Sequence, residues 1–176
     1  MSKNMEKTAQ ITFTGALTAL LVVLQAATAP MGNTLVTGTL VNALLIVTVR
    51  SCGLWPGVFV SVLSPVMAKL VGIGPLWSLI PFIALGNTTL VLVWHFPGKA
   101  LLGRKKLAAA ISLTAGALAK AAVLYLGIVK LAVPMLELPQ PQAAVISGMF
   151  SLPQLITALL GGIVALPICA VLKKRR

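Results

Sequence analysis

Long apolar runs separated by short polar or turn-rich links divide this chain into six segments. They cover about 9–29, 35–49, 53–71, 76–96, 107–131 and 144–172, each of a length suited to one helical membrane crossing. The links are brief. Ala29-Pro30-Met31-Gly32-Asn33 follows the first run, Arg50 stops the second, and Gly72-Ile73-Gly74-Pro75 breaks the third. Pro97-Gly98 ends the fourth, a basic connector containing Lys99, Arg104, Lys105 and Lys106 precedes the fifth, and a proline-rich loop, 134–142, precedes the last. The expectation is an all-α integral membrane protein, a single six-helix bundle without a soluble domain.

Within the runs, small residues recur at helical spacing. Gly53, Gly57, Ser61, Ser64 and Ala68 form a stripe on the third segment, where a neighbouring backbone can approach closely. Ser112, Gly116, Lys120, Val123, Gly127 and Lys130 make a similar stripe on the fifth, and Gly15, Ala16 and Ala19 share a face of the first. Pro65, Pro81, Pro153 and Pro167 interrupt backbone hydrogen bonding, so kinks are expected where neighbours satisfy the released carbonyls.

Composition agrees with a membrane-embedded chain: 59% of its 176 residues are hydrophobic and 9% charged, with a mean hydropathy of +1.04. The net charge of +12 does not read as a nucleic-acid footprint, because the basic residues punctuate apolar runs instead of gathering on a solvated face. It sets orientation. With the N-terminus inside, Lys3, Lys7, Arg50, Lys99, Arg104, Lys105, Lys106 and the terminal Lys173-Lys174-Arg175-Arg176 fall on one side, eleven of fourteen basic residues. Both termini are therefore expected to be cytoplasmic, and the first run is read as a retained span and not a cleaved leader.

Polar side chains inside the runs are few enough to weigh singly. Lys120 stands in an almost unbroken apolar segment of a chain whose only acidic residues are Glu6 and Glu137. About 11 residues at 1.5 Å each separate it from the outer end, roughly 16 Å and beyond the reach of a snorkelling lysine. A buried ammonium costs at least about 2.5–3.5 kcal/mol at the bilayer centre, so either a cavity, a ligand or a helix-interface carbonyl answers it or the lysine is neutral there. Asn42 and Asn87 lie comparably deep and serve equally as interhelical hydrogen-bonding residues or ligand contacts. Lys69, Lys130, Gln25 and Gln154 lie nearer the outer side, where the two lysines can also snorkel to the boundary without any ligand, and are joined there by Asn33, Gln140, Gln142 and Trp77. A pocket open to the outside follows. Trp55, Trp94 and His95 read as interface residues, and Cys52 and Cys169 as reduced packing residues.

Enzyme and metal signatures are sparse. Two carboxylates on opposite sides offer no acid–base pair, one histidine and two separated cysteines make no metal cluster, and no Walker-type glycine loop is present. No cofactor is expected. An intramembrane hydrolase using Lys120 as base to a nearby hydroxyl is the alternative, and a structural membrane partner or small pore a third.

Over nearly its whole length the pattern resembles the substrate-binding S component of energy-coupling factor transporters. The likeness rests on chain length, the six expected spans, inside termini, the basic tail, and the small face Gly15, Ala16 and Ala19. The glycine-punctuated stretches Gly53-Leu54-Trp55-Pro56-Gly57, Gly72-Ile73-Gly74-Pro75-Leu76-Trp77 and Gly86-Asn87 carry it further. The first-span face has Gly15 with Ala19 where a strict Ala-x-x-x-Ala would have two alanines. The resemblance implies a bacterial plasma-membrane receptor that captures a vitamin or related micronutrient on the outer side. It implies delivery with a transmembrane coupling subunit, docked at Gly15, Ala16 and Ala19, and two cytoplasmic ATPase subunits. The span lysines favour an anionic solute, with Lys120 as the deep contact and Lys69 and Lys130 near the entrance. Asn33, Asn87, Gln140 and Gln154 would orient it, and Trp77 or Tyr125 would face an apolar or ring portion. No motif in the chain names a particular vitamin.

Overall fold

The computed structural model describes residues 3–74, 76–100 and 105–174, and their regular structure is helical throughout. Pro75, Arg104, Arg175 and Arg176, which entered the sequence reading as a helix break and as orienting charges, lie outside the described residues.

Helix α1 (Lys3–Thr28) ends in a 3-10 turn, Ala29–Met31. Asn33 then starts α2 (Thr34–Cys52) as its N-cap, its Oδ1 accepting from the Leu35 and Val36 amides. Gly53 alone joins α2 to α3 (Leu54–Leu70), at φ 98°, a left-handed conformation that glycine adopts without a Cβ clash. The end of α3 is a Schellman turn: Gly72, at φ 79°, donates to the Lys69 carbonyl and Ile73 to that of Ala68. A 3-10 turn, Trp77–Leu79, leads into α4 (Ile80–Ala100). Helix α5 (Lys105–Leu124) continues through a π-helical stretch, Tyr125–Ala132, and a last turn, Val133–Met135.

The final apolar run, expected as one span, is two helices: α6 (Gln140–Met149) and α7 (Leu152–Lys174). Proline chemistry explains the break. Pro153 cannot donate to the Met149 carbonyl four residues earlier, and that oxygen accepts instead from the Gln154 side chain at 3.1 Å. Pro81 and Pro153 thus stand at the second residue of their helices, where proline is tolerated, whereas Pro65 and Pro167 lie within α3 and α7.

Five helical stretches are long and apolar enough to cross a membrane; α3, with 17 residues, is shorter. The distribution of side chains fits a lipid-facing exterior. Ile11, Phe59, Leu118 and Leu126 are exposed, while Asn42, Asn87 and Lys120 are buried.

Helix α2 is the hub, packing on α1, α3, α4 and most extensively on α7. An unbroken buried stretch, Asn42–Val49, records contact on all sides. Apolar side chains gain little by leaving lipid, so close backbone approach carries the packing. A Cβ on Gly161 would lie 2.6 Å from Asn42 Cβ and 2.9 Å from the Thr39 carbonyl oxygen. One on Gly57 would meet Val49, and one on Gly86 would meet Leu124. The α3 stripe from Gly57 to Ala68 faces this interior as expected. Trp94, expected at an interface, is buried instead, its ring lying over Gly116 and Gly162, which leave room for it.

Two apolar clusters result. One gathers Leu17, Leu21, Leu45, Val60, Leu90 and Trp94 toward the end of the bundle that holds Arg50. The other gathers Leu79, Leu124, Ile128, Ile146 and Phe150 toward the opposite end.

Candidate functional site

Between these clusters lies a cavity of about 380 Å3, bounded by α1 to α5 and by the break between α6 and α7. Its rim is formed by exposed residues of the links lacking Lys and Arg, among them Gly32, Asn33, Gly72 and Gly74. Its floor is polar and buried: Asn42 is 1% exposed, Asn87 2% and Lys120 4%.

Three helices build that floor. The Lys120 ammonium, carried by α5, donates to Asn42 Oδ1 of α2 at 2.5 Å and to Asn87 Oδ1 of α4 at 2.7 Å. A carboxamide must offer its oxygen to a cation and so needs an acceptor for its nitrogen. Asn42 Nδ2 donates to Thr157 Oγ1 of α7 at 3.3 Å, and that hydroxyl donates to the Gln154 carbonyl. Asn87 Nδ2 donates to the Ser61 carbonyl of α3 at 3.4 Å. That carbonyl is free because Pro65, four residues on, has no N–H to give it. A proline in one helix therefore orients the amide that holds a lysine of another.

When protonated, Lys120 carries a positive charge that these neutral amides hydrogen-bond but do not cancel. Among the described residues no carboxylate pairs with it, and Glu137 is exposed, in the left-handed region at φ 46°. An ammonium has three donors and two are engaged, so the third is available to an anion reaching the floor. Such a group would meet a full charge in a site walled largely by apolar side chains, where Coulomb attraction is screened far less than in water. Neither hydrogen bond given by Lys120 goes to a hydroxyl, so the floor is not arranged as a serine–lysine pair.

Of the residues assigned to solute contact from the sequence, Lys120, Asn33, Asn87 and Gln154 line this cavity. Lys69, Lys130, Trp77 and Gln140 do not. Lys130 leaves the Lys120 face because the intervening π-helical turns bond i to i+5, so three- and four-residue spacing no longer keeps side chains in line. Its Nζ lies 5.6 Å from the centre of the Tyr125 ring, outside the cavity. The aromatic wall is Phe150, 5% exposed, and neither Trp77 nor Tyr125. Asn42, Gln25, Ser64, Thr34 and Thr37 complete the polar lining. Asn42 and Gln25 carried the same signal as Asn87, a polar side chain within an apolar run. Ser64 gave no separate signal, being one more small residue on the α3 stripe.

A second, larger hollow of about 1060 Å3 runs along the flank between α1 and α3. Gly15, Thr18 and Ala19 form one side of it, and Trp55, Phe59 and Met67 the other. Gly15, Ala16 and Ala19 are all exposed, and a Cβ on Gly15 would meet nothing within 4 Å. No metal-type group of side chains occurs among the described residues, and both cysteines are free. Comparisons with protein-family models, with curated proteins and with solved structures found no match.

Proposed function

We propose that this chain is the solute-capturing S component of an energy-coupling factor importer in a bacterial plasma membrane. It takes a small anionic micronutrient into the cavity from the outer side. Both termini face the cytoplasm in this reading, and the cavity mouth faces outward. The observation that carries the proposal is the buried Lys120 amine, held only by neutral amides on the floor of a cavity rimmed by links without Lys or Arg. A cavity of about 380 Å3 falls in the size range of small-molecule sites. Transport would be driven by two ATPase subunits through a coupling subunit, with the open α1 face at Gly15, Ala16 and Ala19 as the place where a partner helix can approach.

Native mass spectrometry and thermal-shift measurements of the purified protein against small carboxylates and phosphates test this reading. Retention without turnover, weakened more than tenfold in Lys120→Met, is the expected result. Product formation that vanishes in the same variant would establish the hydrolase instead. Failure of the wild type to retain any anionic solute would defeat the importer reading.

A further inference from the structure

Many hydroxyls in this bundle are satisfied within a turn of their own segment. Thr14, Thr18, Thr28, Thr48, Thr89, Thr114 and Ser151 each donate to the carbonyl four residues back, and Ser61 donates to the one three back. Such back-bonding is how a hydroxyl survives without water. Ser64 departs from the pattern. It is 1% exposed, lines the cavity, and its Oγ has no hydrogen-bond partner. Gln25, 7% exposed, also lines the cavity, and its Oε1 is likewise unpartnered. These two residues belong to α1 and α3, which pack on each other, whereas the Lys120 node is built from α2, α4 and α5.

Buried polar atoms without partners are rare in folded proteins, because desolvation is then uncompensated. Of the three such side-chain atoms among the described residues, two belong to residues lining this one cavity, where a bound molecule would complete the hydrogen bonding after a small side-chain adjustment; the third, Trp94 Nε1, lies away from it. An amide oxygen can only accept, and a hydroxyl can accept or donate. We infer that Gln25 and Ser64 form a second, uncharged recognition point for an N–H or O–H donor group on the same solute whose anionic group meets Lys120. The inference rests on the reading of the cavity as a solute site. It narrows the solute to a small bifunctional molecule, anionic in one part and donor-bearing in another. Anions without a donor would bind at Lys120 alone and leave the desolvation cost at Gln25 in place.

Matched carboxylate pairs test this by isothermal titration of the full-length protein in detergent. The pairs are benzoate with 4-aminobenzoate, nicotinate with 6-aminonicotinate, and butanoate with 4-hydroxybutanoate. At least one donor-bearing member should bind the wild type about tenfold more tightly than its partner. Gln25→Met and Ser64→Ala should bring that ratio toward one and leave the donor-free member unchanged. The same variants should keep or raise the melting temperature of the ligand-free protein, since each removes an unsatisfied buried group. A purely structural role would lower it, and that result would overturn the inference. So would equal binding within every pair by the wild type, or equal weakening of both members in the variants. Lys120→Met separates the two readings by weakening both members of a pair together. If no carboxylate binds the wild type, the Lys120 site fails and this second point fails with it.

Discussion

The cavity between the two apolar clusters measures about 380 Å3 and the groove along α1 and α3 about 1060 Å3, yet the smaller hollow has the chemistry. Its floor joins a cation to amides from two other helices, each amide held by a further helix. The groove is lined mainly by apolar and small residues, with Gly15 and Ala19 leaving its α1 side open. Volume therefore does not decide which of the two hollows holds the polar groups. A wide apolar groove suits lipid chains or another helix, whereas a buried, uncancelled charge suits an anion.

Substitutions can break this contrast. Lys120→Met should weaken anion binding more than tenfold, measured by titration, with the bundle still folded by size exclusion. Unchanged affinity would remove Lys120 from the site. Gly161→Ala should destabilise the protein by about 1–3 kcal/mol in thermal melts, because the added methyl would press on Asn42 and on the α2 backbone. A neutral result would mean that α2 and α7 can separate without cost.

Pro65→Ala offers opposed signs. Restoring an N–H to α3 relieves a defect that costs roughly 3 kcal/mol in ordinary helices, so the melting temperature should rise. The Ser61 carbonyl would then have a backbone donor of its own, Asn87 would lose a free acceptor, and anion affinity should fall about threefold to tenfold. Stability and affinity rising together would refute the link from Pro65 to Lys120.

The groove should respond differently. Gly15→Leu fills open space and adds helix propensity, so stability should be unchanged or higher by up to about 1 kcal/mol, with anion binding unaltered. Under the importer proposal, co-purification with a coupling subunit should be lost, and its persistence would move the docking face elsewhere. The smallest effects belong to Lys69→Gln and Lys130→Gln, each expected to change anion affinity by less than about threefold, since charges outside the cavity are screened by solvent and salt. A tenfold loss in either would extend the site beyond the present cavity.

Residue order alone determined the helical character and the main apolar segments, but not the break that divides the last of them into α6 and α7. Periodicity and turn chemistry are local properties, as the Asn33 cap and the Gly72 turn illustrate. It also singled out Lys120, because a charge within an apolar run is conspicuous without any knowledge of its neighbours. Tertiary structure decided which polar residues meet. Asn42, Asn87 and Lys120 are 78 and 33 residues apart along the chain in their two contacts, and no spacing rule joins them. The π-helical turns that carry Lys130 away and the side chain of Gln154 that caps the break before α7 depend on hydrogen bonds between particular atoms. Ser64 differs from seven threonines and serines that donate to their own backbone in leaving its buried hydroxyl without a partner, a difference that depends on its surroundings and not on sequence context. Hydrophobic pattern reports which residues leave water, whereas a binding site is set by which buried groups are left without a partner.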